Sequence, residues 1–98
     1  MDLKNEATDH LFAAVLKLES IEDCYHFFED LCTVKELRDL TQRFQIASLL
    51  SEGLNYQSIV RRVDASTTTI SRVNQCLNYG SGGYRAMLDK LQAAKETT

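Results

Sequence analysis

Residues 55–77 read NYQSIVRRVDASTTTISRVNQCL. Asn55 and Ser66 each precede helix-compatible residues, and each carries a side-chain oxygen that can accept from the backbone N–H groups left unpaired where a helix starts. They predict one helix over 56–63 and another from Thr67 to about Asn78. So short a connection holds the pair at a fixed angle, which is a helix-turn-helix over about 56–77. Counted from Tyr56, the positions where two such helices touch hold Ile59, Val63, Ala65, Ile70 and Val73, and Leu77 continues the stripe. All are apolar. Two positions depart from the usual pattern: Asp64 stands where the turn commonly takes glycine, and Val60 where close approach commonly takes alanine. Asp64 can adopt the left-handed turn conformation at some cost, so the departure weakens the pattern without removing it.

The outer face of the second helix comprises Ser66, Thr67, Thr68, Thr69, Ser71, Arg72 and Gln75. It is small, uncharged and hydroxyl-rich at its start, with an arginine one turn in. Such a helix suits entry into the major groove of double-stranded DNA by its N-terminus. Hydroxyls contact phosphates or base edges, threonine methyls can meet a thymine methyl, and arginine can grip guanine with two hydrogen bonds. Thr67, Thr68 and Ser71 are expected to reach bases. Arg61 and Arg62 on the first helix, with Arg85 further on, are better placed for backbone phosphates. The plain alternative is a well-capped surface helix. A functional alternative is a protein-interaction module in which the pair packs on a partner protein, with binding indifferent to DNA sequence and little affected by salt.

The net charge of the 98 residues is −3, which opposes nucleic acid only if it is evenly spread. Residues 1–52 hold five basic side chains (Lys4, Lys17, Lys35, Arg38, Arg43) against eleven acidic ones, whereas residues 53–98 hold six basic side chains against Asp64, Asp89 and Glu96. Phosphate contact depends on the local patch, so the acidic half should face away from DNA. Cys24, Cys32 and Cys76 are odd in number and lack metal-ligand spacing, so they read as reduced packing residues of a cytoplasmic protein. No stretch approaches the length of a membrane span, and residues 1–6 lack a signal pattern. His10 and His26 each stand alone, and no nucleophile–base pair, phosphate-cradling loop or carboxylate pair suggests an enzyme.

The chain reads throughout as one all-α domain, 1–98. Glycine is confined to Gly53, Gly80, Gly82 and Gly83 and proline is absent, as expected of helices joined by short loops. Leu3, Ala7, Leu11, Ala14, Val15 and Leu18 predict a first helix over about Leu3 to Glu19. Phe12 and Leu16 broaden its apolar face, which suggests packing on a second subunit. Ser20 with Asp23 opens a second helix through Ile21, Tyr25, Phe28 and Leu31. Thr33 with Glu36 opens a long third, whose face is Val34, Leu37, Leu40, Phe44, Ala47 and Leu50, and Gly53 stops it. Tyr84, Met87, Leu88 and Leu91 give a last helix, with Ala93 to Thr98 expected to fray.

Thr69-Ile70-Ser71-Arg72, the amphipathic helix before it, and the upstream Thr33, Glu36, Leu40, Arg43, Ile46, Leu49-Leu50 and Gly53 pattern resemble the bacterial Trp repressor family, more closely its YerC/YecD-type members. The resemblance covers roughly Leu11 to Leu91. It implies six helices per subunit, an intertwined homodimer with interlocked N-terminal helices, and two reading heads on a palindromic operator. It also implies a corepressor pocket between the third helix and the recognition helix, in which two clamping arginines match Arg43 and Arg72, and Thr33 and Thr69 match further pocket positions. The family's glycine beside the ligand ring is Val73 here, and a serine that holds the ligand amine is Cys76. A branched side chain at Val73 crowds an indole. The expected effector is therefore an amino acid or related metabolite other than tryptophan, histidine being one candidate; otherwise Arg43 and Arg72 serve structure and DNA phosphates alone.

Overall fold

The computed structural model describes residues 3–96. Among them are six helices and no strand: α1 (Glu6–Val15), α2 (Ile21–Leu31), α3 (Val34–Ser51), α4 (Tyr56–Arg62), α5 (Thr67–Tyr79) and α6 (Gly83–Glu96). The chain divides into two compact units, Met1–Leu37 and Arg38–Thr98, and α3 runs through the division.

The starts of α1 to α5 are written in their caps. Asn5 Oδ1 accepts from the Thr8 amide at 2.8 Å, and Ser20 Oγ from the Asp23 amide at 3.0 Å. Thr33 and Glu36 form a reciprocal box: the Glu36 amide donates to Thr33 Oγ1 at 3.1 Å, and the Thr33 amide donates to Glu36 Oε1 at 2.9 Å. Asn55 and Ser66 cap α4 and α5 as expected. Gly53, at φ 90°, follows the end of α3, where a side chain would be strained.

Two helix boundaries correct the sequence reading. The first helix starts only after Asn5, whose side chain satisfies the first turn, and ends at Val15. Lys17 and Leu18 there donate to Ala14 and Val15, the tight three-residue bonding that closes a helix, and the Glu19 amide is taken by the Asp23 carboxylate. The last helix, by contrast, does not fray at Ala93 but continues to Glu96. Ala93, Ala94 and Lys95 are strong helix formers, and Lys95 in the final turn offsets the negative end of the helix dipole. Thr97 and Thr98 lie outside the described residues.

In the second unit the core is Ile46 and Ala47 from α3, Ile59 and Val63 around α4, and Ile70 and Val73 from α5, with Leu88 and Tyr84 of α6 packed against it. The long-helix face read from sequence is partly wrong. Val34 and Leu40 are exposed, while Ile46, absent from that face, is completely buried. α3 therefore carries two apolar faces, and the one that closes the core is the Ile46–Ala47 face. The first unit holds no buried residue in α1 or α2. Phe12 is 57%, Leu16 83%, Ile21 78% and Tyr25 59% exposed. No helix among the described residues is long and apolar enough to cross a membrane.

Candidate nucleic-acid interface

The α4–α5 pair is built as its residue pattern requires. Ile59, Val63, Ile70, Val73 and Leu77 are all buried, and Ala65 and Val60 are half-buried against the same core. Val63 closes α4 by donating its amide to the Ile59 carbonyl at 2.9 Å. Asp64 then takes φ 31°, the one positive φ at a non-glycine position among the described residues. The expected aspartate-for-glycine turn is thus formed. At the far end of α5 a Cβ on Gly80 would collide with the Cys76 carbonyl oxygen, so glycine is needed there for the chain to leave the helix.

Burying one stripe of α5 turns the opposite stripe outward. Thr67, Ser71 and Gln75, spaced four apart, form one exposed row, and Thr68 and Arg72 form the next. Ser66 and Thr69 have a second engagement. Ser66 Oγ accepts from the Thr69 amide at 3.2 Å and lies 3.1 Å from Thr69 Oγ1. Thr69 is half-buried in consequence. Arg61 and Arg62 are exposed in the last turn of α4, with Arg61 Nη2 at 3.5 Å from Ser58 Oγ. They also suit the negative end of that helix. Arg85 does not stand loose. It donates to Asn78 Oδ1 at 2.9 Å, while Asn78 Nδ2 donates to Asn74 Oδ1 at 2.9 Å, so α5 steers the first turn of α6.

The residues matched to an effector pocket are distributed unevenly. Thr33 belongs to the first unit and is engaged in its capping box. In the second unit Val73 is only 4% exposed, so its branched side chain fills core space beside the recognition helix. Cys76 is exposed, contrary to the packing role read from sequence; Cys24 and Cys32 are half-buried. Leu77, the next residue and about 100° further round α5, takes the inward direction instead. His10 and His26 are both exposed.

Tyr84 is the residue the sequence reading missed here. Its ring stacks on Phe44 of α3, with centroids 6.3 Å apart and planes 29° from parallel. Burial raises the pKa of its hydroxyl, Cys76 adds to the rise, and Arg43 opposes it. Two expected pocket residues, Arg43 and Cys76, therefore act electrostatically on the hydroxyl of Tyr84. The signal for Tyr84 was its apolar stripe position on α6; its polar tip carried no separate signature.

The Trp repressor protein family model matches residues 6–92. The uncharacterized protein YerC of Bacillus subtilis (strain 168) is 46% identical over 90 residues, covering 92% of this chain and 86% of that protein. A solved structure of a TrpR like protein from Eubacterium eligens ATCC 27750 is 46% identical, covers 92% of this chain and 93% of its own, and superposes with a TM-score of 0.89. Another, from Staphylococcus aureus, is also 46% identical and superposes at 0.88, covering 92% of this chain and 90% of its own. The match spans the capped long helix, the helix-turn-helix and the closing helix together: this chain belongs to the Trp repressor family, a fold of DNA-binding regulators and not of enzymes.

Proposed function

We propose that the protein is a sequence-specific DNA-binding transcriptional regulator, a repressor that works in the cytoplasm and reads a palindromic operator as an intertwined homodimer. The observation that carries this reading is the exposed row of Thr67, Thr68, Ser71, Arg72 and Gln75 on α5, opposite a fully apolar inward stripe. Arg72 and Gln75 have the donor and acceptor geometry for guanine and adenine edges, and the hydroxyls suit phosphates or bases. Arg61 and Arg62 add phosphate contacts.

The homodimer is supported by unpartnered apolar surface. Phe12, Leu16, Ile21 and Tyr25 are exposed on α1 and α2, and Val34 and Leu40 on α3. A groove of about 660 Å³ between α3 and α6, lined in part by Phe44, Ser48, Leu88 and Leu91, offers further surface. A second copy would cover these faces, and residues 1–98 then act as one domain. Two symmetric heads place half-sites about 34 Å apart, one helical turn of DNA.

Control by an amino acid or related metabolite belongs to the same reading. Arg43 and Arg72 are the residues for a carboxylate, and the buried Val73 argues against tryptophan. Such a ligand shifts the heads only as far as it prefers one head orientation over another. The test is selection of duplex DNA from a random library, with and without a pool of amino acids. An enriched palindrome with half-sites one turn apart supports the regulator, and its dependence on the pool points to the effector. No enrichment in either arm overturns it in favour of a protein-interaction module.

A further inference from the structure

Asp64 is a costly residue for its place. It holds φ 31°, a backbone region that residues with a Cβ enter reluctantly, yet the whole aim of α5 depends on that turn. Its own side chain is exposed. What meets it comes from the long helix: Gln42 Nε2 donates to the Asp64 carbonyl oxygen at 3.3 Å, across 22 residues of sequence. Because the acceptor is a carbonyl, only the amide nitrogen of Gln42 can face it.

The placement of Gln42 is not incidental to the core. It sits one turn before Ile46 on the same face of α3, and Ile46 is fully buried in the cluster shared with Ile59 and Ile70. The row of α3 residues that seats the head by apolar contact thus ends in a polar bond at the head's turn. An apolar contact is non-directional, whereas a hydrogen bond to the turn's carbonyl has a preferred direction.

We infer that Gln42 is a positioning residue for DNA reading: it straps the Asp64 turn to α3 and so fixes the direction in which α5 is presented. This inference rests on the DNA-reading proposal above. Gln42 touches no base; it acts through the turn. A glycine in that turn would enter the left-handed region without strain but would leave it as freely, so it would not replace the strap.

The test is Gln42→Leu, which keeps volume and helix propensity and removes the donor, made alone and with Asp64→Gly. For DNA enriched by the wild-type protein, Gln42→Leu should weaken binding about threefold to tenfold, the worth of one modest hydrogen bond. In the Asp64→Gly background, which keeps the acceptor carbonyl and widens the turn's freedom, the same change should cost at least as much. Amide hydrogen exchange reads the strap without DNA: Thr69 and Ile70, whose amides bond to Ser66, should exchange faster in Gln42→Leu and no more slowly in the double variant, with α3 unchanged. Unaltered affinity together with unaltered exchange overturns the inference. So does uniform acceleration across α3 to α6, which would mean a general loss of stability. If the wild-type protein enriches no DNA, the functional proposal fails separately, and the exchange result alone decides whether the strap exists.

Discussion

Replacing Val73 by glycine tests whether space for a bulky ligand exists beside the recognition helix or is filled by the protein. Val73 is 4% exposed and enclosed with Ile46, Ile59 and Ile70. Glycine removes three buried carbons, worth about 0.8 kcal/mol each. It also lowers helix propensity by about 0.4 kcal/mol relative to valine. The expected loss is about 3 kcal/mol, well above the roughly 0.4 kcal/mol that helix propensity alone would cost. Domains of this size are stable by about 5–15 kcal/mol, so the variant should still fold. The assay is urea unfolding followed by helical circular dichroism at one fixed protein concentration, because a dimer's midpoint moves with concentration. A loss under about 1 kcal/mol would refute the claim that Val73 fills the core. Calorimetric titration of the folded variant with indole-bearing amino acids supplies a second arm. New affinity is expected once the branch is gone; none at all would show that the pocket carried over from the family is not there.

Arg72→Ala should weaken binding to a selected operator by about 1–3 kcal/mol if Arg72 grips a base, and should instead reduce the salt dependence by about one phosphate contact if it holds the backbone. Unchanged affinity and unchanged salt slope would remove Arg72 from the interface. Ser66→Ala deletes the oxygen that accepts from the Thr69 amide and should lower stability by about 1 kcal/mol in the same urea assay; an unmoved midpoint would contradict the cap. Tyr84 has its pKa raised above 10.0 by burial first, then by Cys76, against Arg43. The folded state therefore holds the phenolic proton longer than the unfolded chain does, and its stabilising effect is lost as pH climbs past that value. Between about pH 9 and 11 the wild-type protein should lose stability more steeply than Tyr84→Phe; parallel slopes would refute the assignment.

What the sequence made legible was local. Caps at Ser20, Thr33, Asn55 and Ser66 were readable because a hydroxyl, carboxamide or carboxylate at fixed spacing satisfies amides within one turn. The inward stripe of the helix-turn-helix was readable for a similar reason: two short helices at a fixed angle allow one set of contact positions. Where the reading failed, the deciding interaction came from elsewhere in the chain. Periodicity marked α3 as apolar on a broad front but could not say which face meets the head, so Val34 and Leu40 were put on the apolar face and Ile46, named only in the family pattern, was left off it. Cys76 was assigned to packing on residue type alone, although Leu77 takes the inward position on α5. The stacking of Tyr84 on Phe44 joins residues forty positions apart, and no pattern within either helix announces it.

The threonine run shows how one turn of helix divides two tasks. Thr67, Thr68 and Thr69 are chemically identical and consecutive, so composition offers no basis for separating them. Helix geometry separates them by about 100° per residue. Thr69 stands three residues after the cap, where its amide and hydroxyl both fall on Ser66 Oγ, and its side chain is half-buried. Thr67 and Thr68 are turned outward and exposed. A change at Thr69 must therefore act partly through the start of α5, while changes at Thr67 or Thr68 act on whatever the helix touches. Thr67 and Thr68 can change with little effect on the fold, whereas the Ser66–Thr69 pair is constrained by the helix it begins.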